Sequence, residues 1–225
     1  NRFAIPNAVK NFNYNLGNNT NITIVEIPET LQSIPTLPEN IEEIIIDENN
    51  NYFSVLNKCL YTKDEKILYL CFTKEKYVDL SQNLVTITNN SFARAINLEE
   101  IILPDSVLNI QFQSFSGCEN LKTLNIGKNA NNISQNFLYP LRDVKVTIDE
   151  DNNYYTVEDN VLYNKDKTNL FTVLYEINGN FPVDSDVEII GGNAFYYQTN
   201  LTSIKLPDGI KELSSNVFNG ANLLT

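Results

Sequence analysis

Asp47, Asn49 and Asn51, and again Asp149, Asp151 and Asn153, place oxygen-bearing side chains at alternate positions, which is how a calcium-binding loop begins. The rest of such a loop is missing. Its sixth position needs glycine and here is Tyr52 or Tyr154; its twelfth needs glutamate and here is Lys58 or Asn160. An acidic, asparagine-rich turn leading into a hairpin is therefore favoured over a cation site. The three cysteines, Cys59, Cys71 and Cys118, form no CxxC pair, and histidine is absent. That removes His-based triads and the usual structural zinc sites. An odd count also forbids full internal pairing, so the thiols read as small buried or half-buried hydrophobes. Cys59 and Cys71 flank an expected hairpin turn that would bring them near each other. Gly191-Gly192 lacks the flanking residues of a phosphate-cradling loop. No catalytic residue, metal or cofactor is expected, and the chain is not expected to be an enzyme.

The chain has 225 residues, 42% of them hydrophobic, with 16 Lys+Arg against 28 Asp+Glu and a net charge of −12. Such a surface repels phosphate backbones and anionic membranes, and steers a basic protein or a cation inward. Nucleic acid is thus not an expected partner. No apolar run approaches the roughly 20 residues that span a bilayer, so no direct membrane insertion is expected in this segment. Five Asn-x-Ser/Thr triplets, at Asn18, Asn21, Asn89, Asn132 and Asn200, are what an asparagine-rich chain produces by chance.

What could position binding residues is a phrase that returns about every 23 residues. Leu98–Phe115 reads LEEIILPDSVLNIQFQSF, and Leu201–Phe218 reads LTSIKLPDGIKELSSNVF. The steps from Ile87 to Ile110, Ile110 to Ile133, Phe92 to Phe115 and Phe195 to Phe218 are all 23. A repeat of this size predicts a leucine-rich-repeat solenoid. In the first half, LxxIxLP, residues Leu98, Ile101 and Leu103 point inward, as do Leu121, Leu124 and Ile126, and Leu201, Ile204 and Leu206. Pro104 and Pro207 end the strand because proline cannot donate to a ladder. In the second half, IxxxxF, the pairs Ile87/Phe92, Ile110/Phe115 and Leu213/Phe218 fill the return side. A second repeat has an offset of 102: Ile46–Val55 matches Ile148–Val157, and Cys59–Leu68 matches Val161–Leu170. Polar turns at Lys63–Lys66 and Lys165–Thr168 predict a β-hairpin in each copy. The expected organisation is one solenoid over 1–225, with hairpin-bearing units at 49–80 and 151–183. Residues 1–21 form either a capping segment or a degenerate repeat. The chain stops at Asn222-Leu223-Leu224-Thr225, where earlier coils open a strand, so a longer protein truncated mid-repeat is expected.

The pattern IxxxxFxxCxxLxxIxLPxxVxxIxxxxF resembles the BspA-like subclass of leucine-rich repeats. It is carried by Ile87, Phe92, Leu98, Ile101, Leu103, Pro104, Val107, Ile110, Phe115, Cys118, Leu121 and Leu124. It recurs at Ile190, Phe195, Leu201, Ile204, Leu206, Pro207, Ile210, Leu213 and Phe218, and the hairpin insert belongs to the same pattern. Ala95 and Gln198 stand where a cysteine like Cys118 is usual. The resemblance implies the α/β horseshoe class of leucine-rich-repeat solenoid, with short parallel strands, hairpin insertions and little regular helix. It also implies adhesin-type extracellular binding proteins without shared catalytic residues.

A partner is expected on the outward positions of the strands: Glu42, Glu43 and Ile45; Glu99, Glu100 and Ile102; Lys122, Thr123 and Asn125; and Thr202, Ser203 and Lys205. This face should run from acidic at Glu42 and Glu99 to neutral or basic at Lys122 and Lys205. The hairpin aromatics Tyr52, Phe53, Tyr61, Tyr154, Tyr155 and Tyr163 offer a rival surface, although most of them should pack the hairpin onto the spine. The functional expectation is a non-catalytic binding module of a cell-surface or secreted protein. It would engage a protein, of a host cell, neighbouring cell or extracellular matrix, or a glycan. A structural spacer and an intracellular scaffold are the alternatives.

Overall fold

Alternation within the LxxIxLP phrase produces short parallel strands, each burying one face. A computed structural model describes residues 1–141 and 143–225. Glu100–Ile102, Thr123–Ile126 and Lys145–Ile148 form one parallel sheet in which Leu124 stands opposite both Ile101 and Val146. All three side chains are buried. Arg2–Ala4, Ile24–Ile27 and Glu43–Ile46 make a second parallel sheet, and Gly179–Pro182 with Leu201–Lys205 a third. On the return side, Thr86–Ile87, Asn109–Ile110 and Asn132–Ile133 pair in parallel, and Ile189–Ile190 pairs with Glu212–Leu213. Between the two columns lies the apolar core. Phe92 stacks on Phe115 with centroids 5.0 Å apart, Phe115 meets Phe137 at 6.2 Å, and Phe195 stacks on Phe218 at 5.5 Å. One phenylalanine per coil thus supplies a large buried area and a geometry that fixes coil spacing.

No helix occurs among the described residues, so the expected α/β horseshoe class is corrected to a pure β-solenoid. The cause is local. Asn90, Gln113, Asn193 and Asn216 adopt positive φ at the same point of four coils, three residues after the return-side Ile or Leu. A left-handed residue there interrupts right-handed helix where a horseshoe would carry one. The chain continues through successive three-residue hydrogen bonds instead: Ala93 N–H to Asn90 C=O, Ala95 to Phe92, Leu98 to Ala95, and likewise Ser116 to Gln113 and Cys118 to Phe115.

Each insert is a three-stranded antiparallel meander: Phe53–Leu56, Cys59–Thr62 and Ile67–Cys71 in the first copy, and Tyr155–Glu158, Val161–Asn164 and Asn169–Val173 in the second. The polar turns at Lys63–Lys66 and Lys165–Thr168 join the last two strands of each. A two-residue turn joins the first two, at Asn57-Lys58 and Asp159-Asn160, and both residues of each pair have positive φ. This is the backbone that matches strand twist in tight hairpins. The third strand then pairs in parallel with the return-side column, at Thr86–Ile87 and Ile189–Ile190.

Two buried asparagines seat the meanders. Asn50 donates to the carbonyls of Pro28 (2.7 Å) and Leu31 (3.2 Å), while its Oδ1 accepts from the amides of Tyr52 (2.8 Å) and Phe53 (3.0 Å). Asn152 does the same with Gly127, Ala130, Tyr154 and Tyr155. The amide satisfies backbone groups that a departing strand would leave unpaired. The calcium-like spacing has the same origin: Asp47 Oδ1 accepts from Asn49 N–H, and Asp149 Oδ1 from Asp151 N–H, both at 2.9 Å. Asparagine also staples coils together. Asn97 Nδ2 donates to Lys74 C=O and Asn120 Nδ2 to Ile96 C=O, each at 2.9 Å across one full coil.

Cys59 and Cys71 stand opposite each other across the antiparallel ladder, and all three cysteines are buried free thiols. Burial pushes the Cys59 and Cys118 thiols well above their ordinary values. The last coil departs from the inward pattern. Ile204 and Phe218 are only half-buried, and Leu213, expected inside, is 47% exposed, because this coil is packed on one side only.

Candidate binding face

In the central and N-terminal sheets, outward positions of the parallel strands project from backbone held by buried neighbours such as Ile44, Ile101 and Leu124. In the central sheet, Glu100 and Ile102 stand opposite Thr123 and Asn125, which in turn oppose Lys145 and Thr147. Thr147 Oγ1 donates to Asn125 Oδ1 at 2.5 Å. Lys145 and Thr147 were not singled out by the sequence, although they continue the same register. In the N-terminal sheet Glu43 and Ile45 oppose Ile24 and Glu26, and Glu26 pairs with Arg2. In the third sheet Ser203 Oγ donates to Asn180 Oδ1 at 2.5 Å, and Lys205 opposes Pro182.

Nine of the twelve expected face residues are therefore distributed over three sheets rather than one ladder, and Glu42, Glu99 and Lys122 lie immediately before their strands. The tight turns of the meanders interrupt it. Lys58 Nζ donates to Glu42 C=O (2.9 Å) and Asn57 Nδ2 to Asp79 C=O (2.8 Å), which bridges the gap between the first two sheets. In the second copy Asn160 Nδ2 donates to Val144 C=O (3.0 Å), and Asn160 Oδ1 accepts from Val146 N–H (3.4 Å). One side-chain amide takes the bonds that a neighbouring strand would have made. Nothing but the two-residue turn between alternating apolar runs could have pointed to Lys58 and Asn160.

Glu99, at the acidic end of the anticipated gradient, is paired with two lysines. Glu99 sits between Lys122 Nζ (2.7 Å) and Lys76 Nζ (2.6 Å). Hydrogen bonds from Lys122 and then Lys76 hold its carboxyl down at about 2. The same contact raises Lys76 above its ordinary value. Glu99 and Lys122 are thus committed to each other. Glu100 has no ion pair among the described residues. It lines a groove of ≈ 330 Å3 with Tyr77, Val78, Asp79, Leu80, Gln82 and Ile102. Tyr77 is 61% exposed and Ile102 63% exposed, so ring and branched side chain both face solvent at the groove. Of the meander aromatics, Phe53, Tyr61, Tyr155 and Tyr163 are buried, and only Tyr52 and Tyr154 are exposed. Burial pushes the Tyr163 phenol up to about 12.

Among the described residues no group of three or more His, Cys, Asp or Glu could hold a metal ion, and no helix is long and apolar enough to cross a membrane. The solved fold of the pneumococcal vaccine antigen PcpA is similar, with 18% identity and a TM-score of 0.53 over 98% of this chain and 58% of that one. A leucine-rich-repeat protein from Eubacterium ventriosum is similar at 18% identity and a TM-score of 0.55, over 96% of this chain and 56% of that one. This chain spans less than two-thirds of either structure. No curated protein matches it. The family described as "BspA type Leucine rich repeat region" matches six copies over residues 64–178 and 170–225. The chain belongs to the BspA-type leucine-rich-repeat family.

Proposed function

We propose that this chain is the binding module of a cell-surface or secreted protein. It engages a protein of a host cell, neighbouring cell or extracellular matrix, or a glycan, through the strand face around Glu100 and Ile102. One observation carries the reading: Tyr77 and Ile102 stand exposed beside the same groove while their inward neighbour Ile101 is buried. An aromatic and a branched apolar group held rigidly outward resemble the anchors on which interface energy concentrates. Asp79 and Glu100 line the groove and no lysine or arginine among the described residues does, which favours a basic segment of the partner. The fold likeness to a vaccine antigen supports a setting open to the exterior.

The test compares the parent chain with a Tyr77→Ser/Ile102→Ser double variant. Both are immobilised and offered matrix proteins and host-cell surface extracts. Capture by the parent that the variant loses, at unchanged melting temperature, is the expected result. Equal capture by both would remove the face from the proposal, and no capture by either would favour a spacer.

A further inference from the structure

Four buried side-chain atoms among the described residues have no hydrogen-bond partner: Ser33 Oγ, Arg94 Nη1, Ser106 Oγ and Asn169 Oδ1. Two of the four belong to one place. Ser33 and Arg94 both line a groove of ≈ 640 Å3 on the return side of the coils, away from the strand face. That volume lies within the roughly 300–1,000 Å3 usual for small-ligand sites.

Arg94 is held at one nitrogen only. Nη2 donates to Leu37 C=O at 2.5 Å, which ties the coil after Ile87 to the proline-rich segment at Pro35–Pro38. Nη1 has no acceptor, and no carboxylate among the described residues forms an ion pair with this guanidinium. Burial lowers its pKa, and Glu39 offsets this only through its longer-range field. A half-buried cation that Glu39 stabilises only without direct contact is costly, and an unpaired donor on it adds to the cost. A carboxylate entering the groove would relieve both. Nη1 is itself closed to solvent, so the guanidinium must turn toward the ligand, and the charge-assisted bonds gained offset the loosening of the Nη2 bond to Leu37.

The rest of the lining says what should carry that carboxylate. Gln32, Thr36, Asn89 and Asn90 supply neutral amides and a hydroxyl, Tyr69 adds an aromatic ring, and aliphatic residues around Leu70 complete the wall. Such a set suits a ring bearing several hydroxyl groups better than a peptide side chain. The chain's net charge of −12 opposes a polyanion, because many like charges would have to approach together. One acid group beside one arginine is screened from the rest of the surface over roughly 8 Å at physiological salt. We propose that the groove between Gln32–Leu37 and Thr88–Arg94 binds a sugar carrying a single carboxylate, with Arg94 as its counter-charge. This site is independent of the strand face.

The experiment titrates the unmodified chain with three probes, followed by calorimetry or by the side-chain amide signals of Asn89 and Asn90. They are a trisaccharide ending in a sialic acid, the neutral disaccharide lactose, and an N-acetylated, C-amidated tripeptide with one central glutamate. The acidic sugar should bind at least roughly tenfold tighter than the other two, as expected for one hydrogen bond to a charged group. Arg94→Gln should remove that preference, whereas Asp208→Asn, at an exposed position of the last coil, should leave it intact. Equal affinity for acidic and neutral sugar overturns the proposal, as does an equally good peptide or no binding of the acidic sugar at millimolar concentration. Because Arg94→Gln also loses the tie to Leu37, the comparison of probes on the parent chain decides the matter even if that variant misfolds.

Discussion

Replacing Asn50 by alanine isolates the role of the buried amide at the root of the first meander. The substitution removes the partners of three buried backbone groups, the Phe53 N–H and the carbonyls of Pro28 and Leu31. At about 1–3 kcal/mol for each buried group left unpaired, with some relief as water enters the vacated space, the loss should be roughly 3–5 kcal/mol. For a chain of this size each kcal/mol moves the melting midpoint by about 2–4 °C, so a fall of roughly 6–20 °C is expected. With no tryptophan and twelve tyrosines, far-ultraviolet circular dichroism and tyrosine emission report the transition. Asn50→Asp separates the two ends of the amide. It keeps the acceptor for Tyr52 and Phe53 but sets a carboxylate against two carbonyl oxygens, so it should do no better than alanine. Asn51→Ala, one residue along on the exposed side, should stay within about 0.5 kcal/mol of the parent. If Asn50→Ala melts like Asn51→Ala, the amide does not hold the meander and the reasoning fails.

The Glu99 carboxyl should titrate near 2 by NMR, well below an ordinary glutamate. Because its folded value is depressed, its stabilising pairs are fully present above the usual carboxylate range and are lost as pH falls through about 2. Lys122→Ala should move that midpoint up toward the ordinary value; an unmoved midpoint would show that the pair does not form in solution. Leu124→Ala should cost about 2–5 kcal/mol in chemical denaturation, because Leu124 is buried between coils on both sides. Ile204→Ala should cost distinctly less, since that coil is packed on one side, and an equal cost would contradict the described end packing.

The inward column was legible because two periods coincide. Alternation within the strand phrase and the 23-residue step between coils both place Ile101 and Leu124 inside, and the phenylalanine stack follows from the same step. The absence of helix was not legible. It depends on left-handed residues that include Gln113, a residue type without preference for that region, and the horseshoe class came from the resemblance alone. The first turn of each meander was missed because Asn57-Lys58 and Asp159-Asn160 contain no glycine to announce it. Asn50 and Asn152 were hidden within a run that mimics a calcium loop, though their recurrence at an offset of 102 was visible. At Glu43, Ile45, Glu100, Ile102, Thr123, Asn125, Ser203 and Lys205 the direction away from the core was readable from alternation. Their division among three sheets was not, because it depends on where a turn distant in sequence comes to rest. Arg94 carried no local signal at all; only the proximity of Leu37, 57 residues away, makes it unusual.

Where a turn tip takes the place of a strand, the hydrogen-bonded ladder ends and a new one begins. A slip of pairing in one run of coils therefore cannot be handed on strand by strand to the next. Lys58 and Asn160 act as firebreaks in an otherwise repetitive molecule. They would also let runs of coils be lengthened or exchanged between them while the alignment on either side is kept.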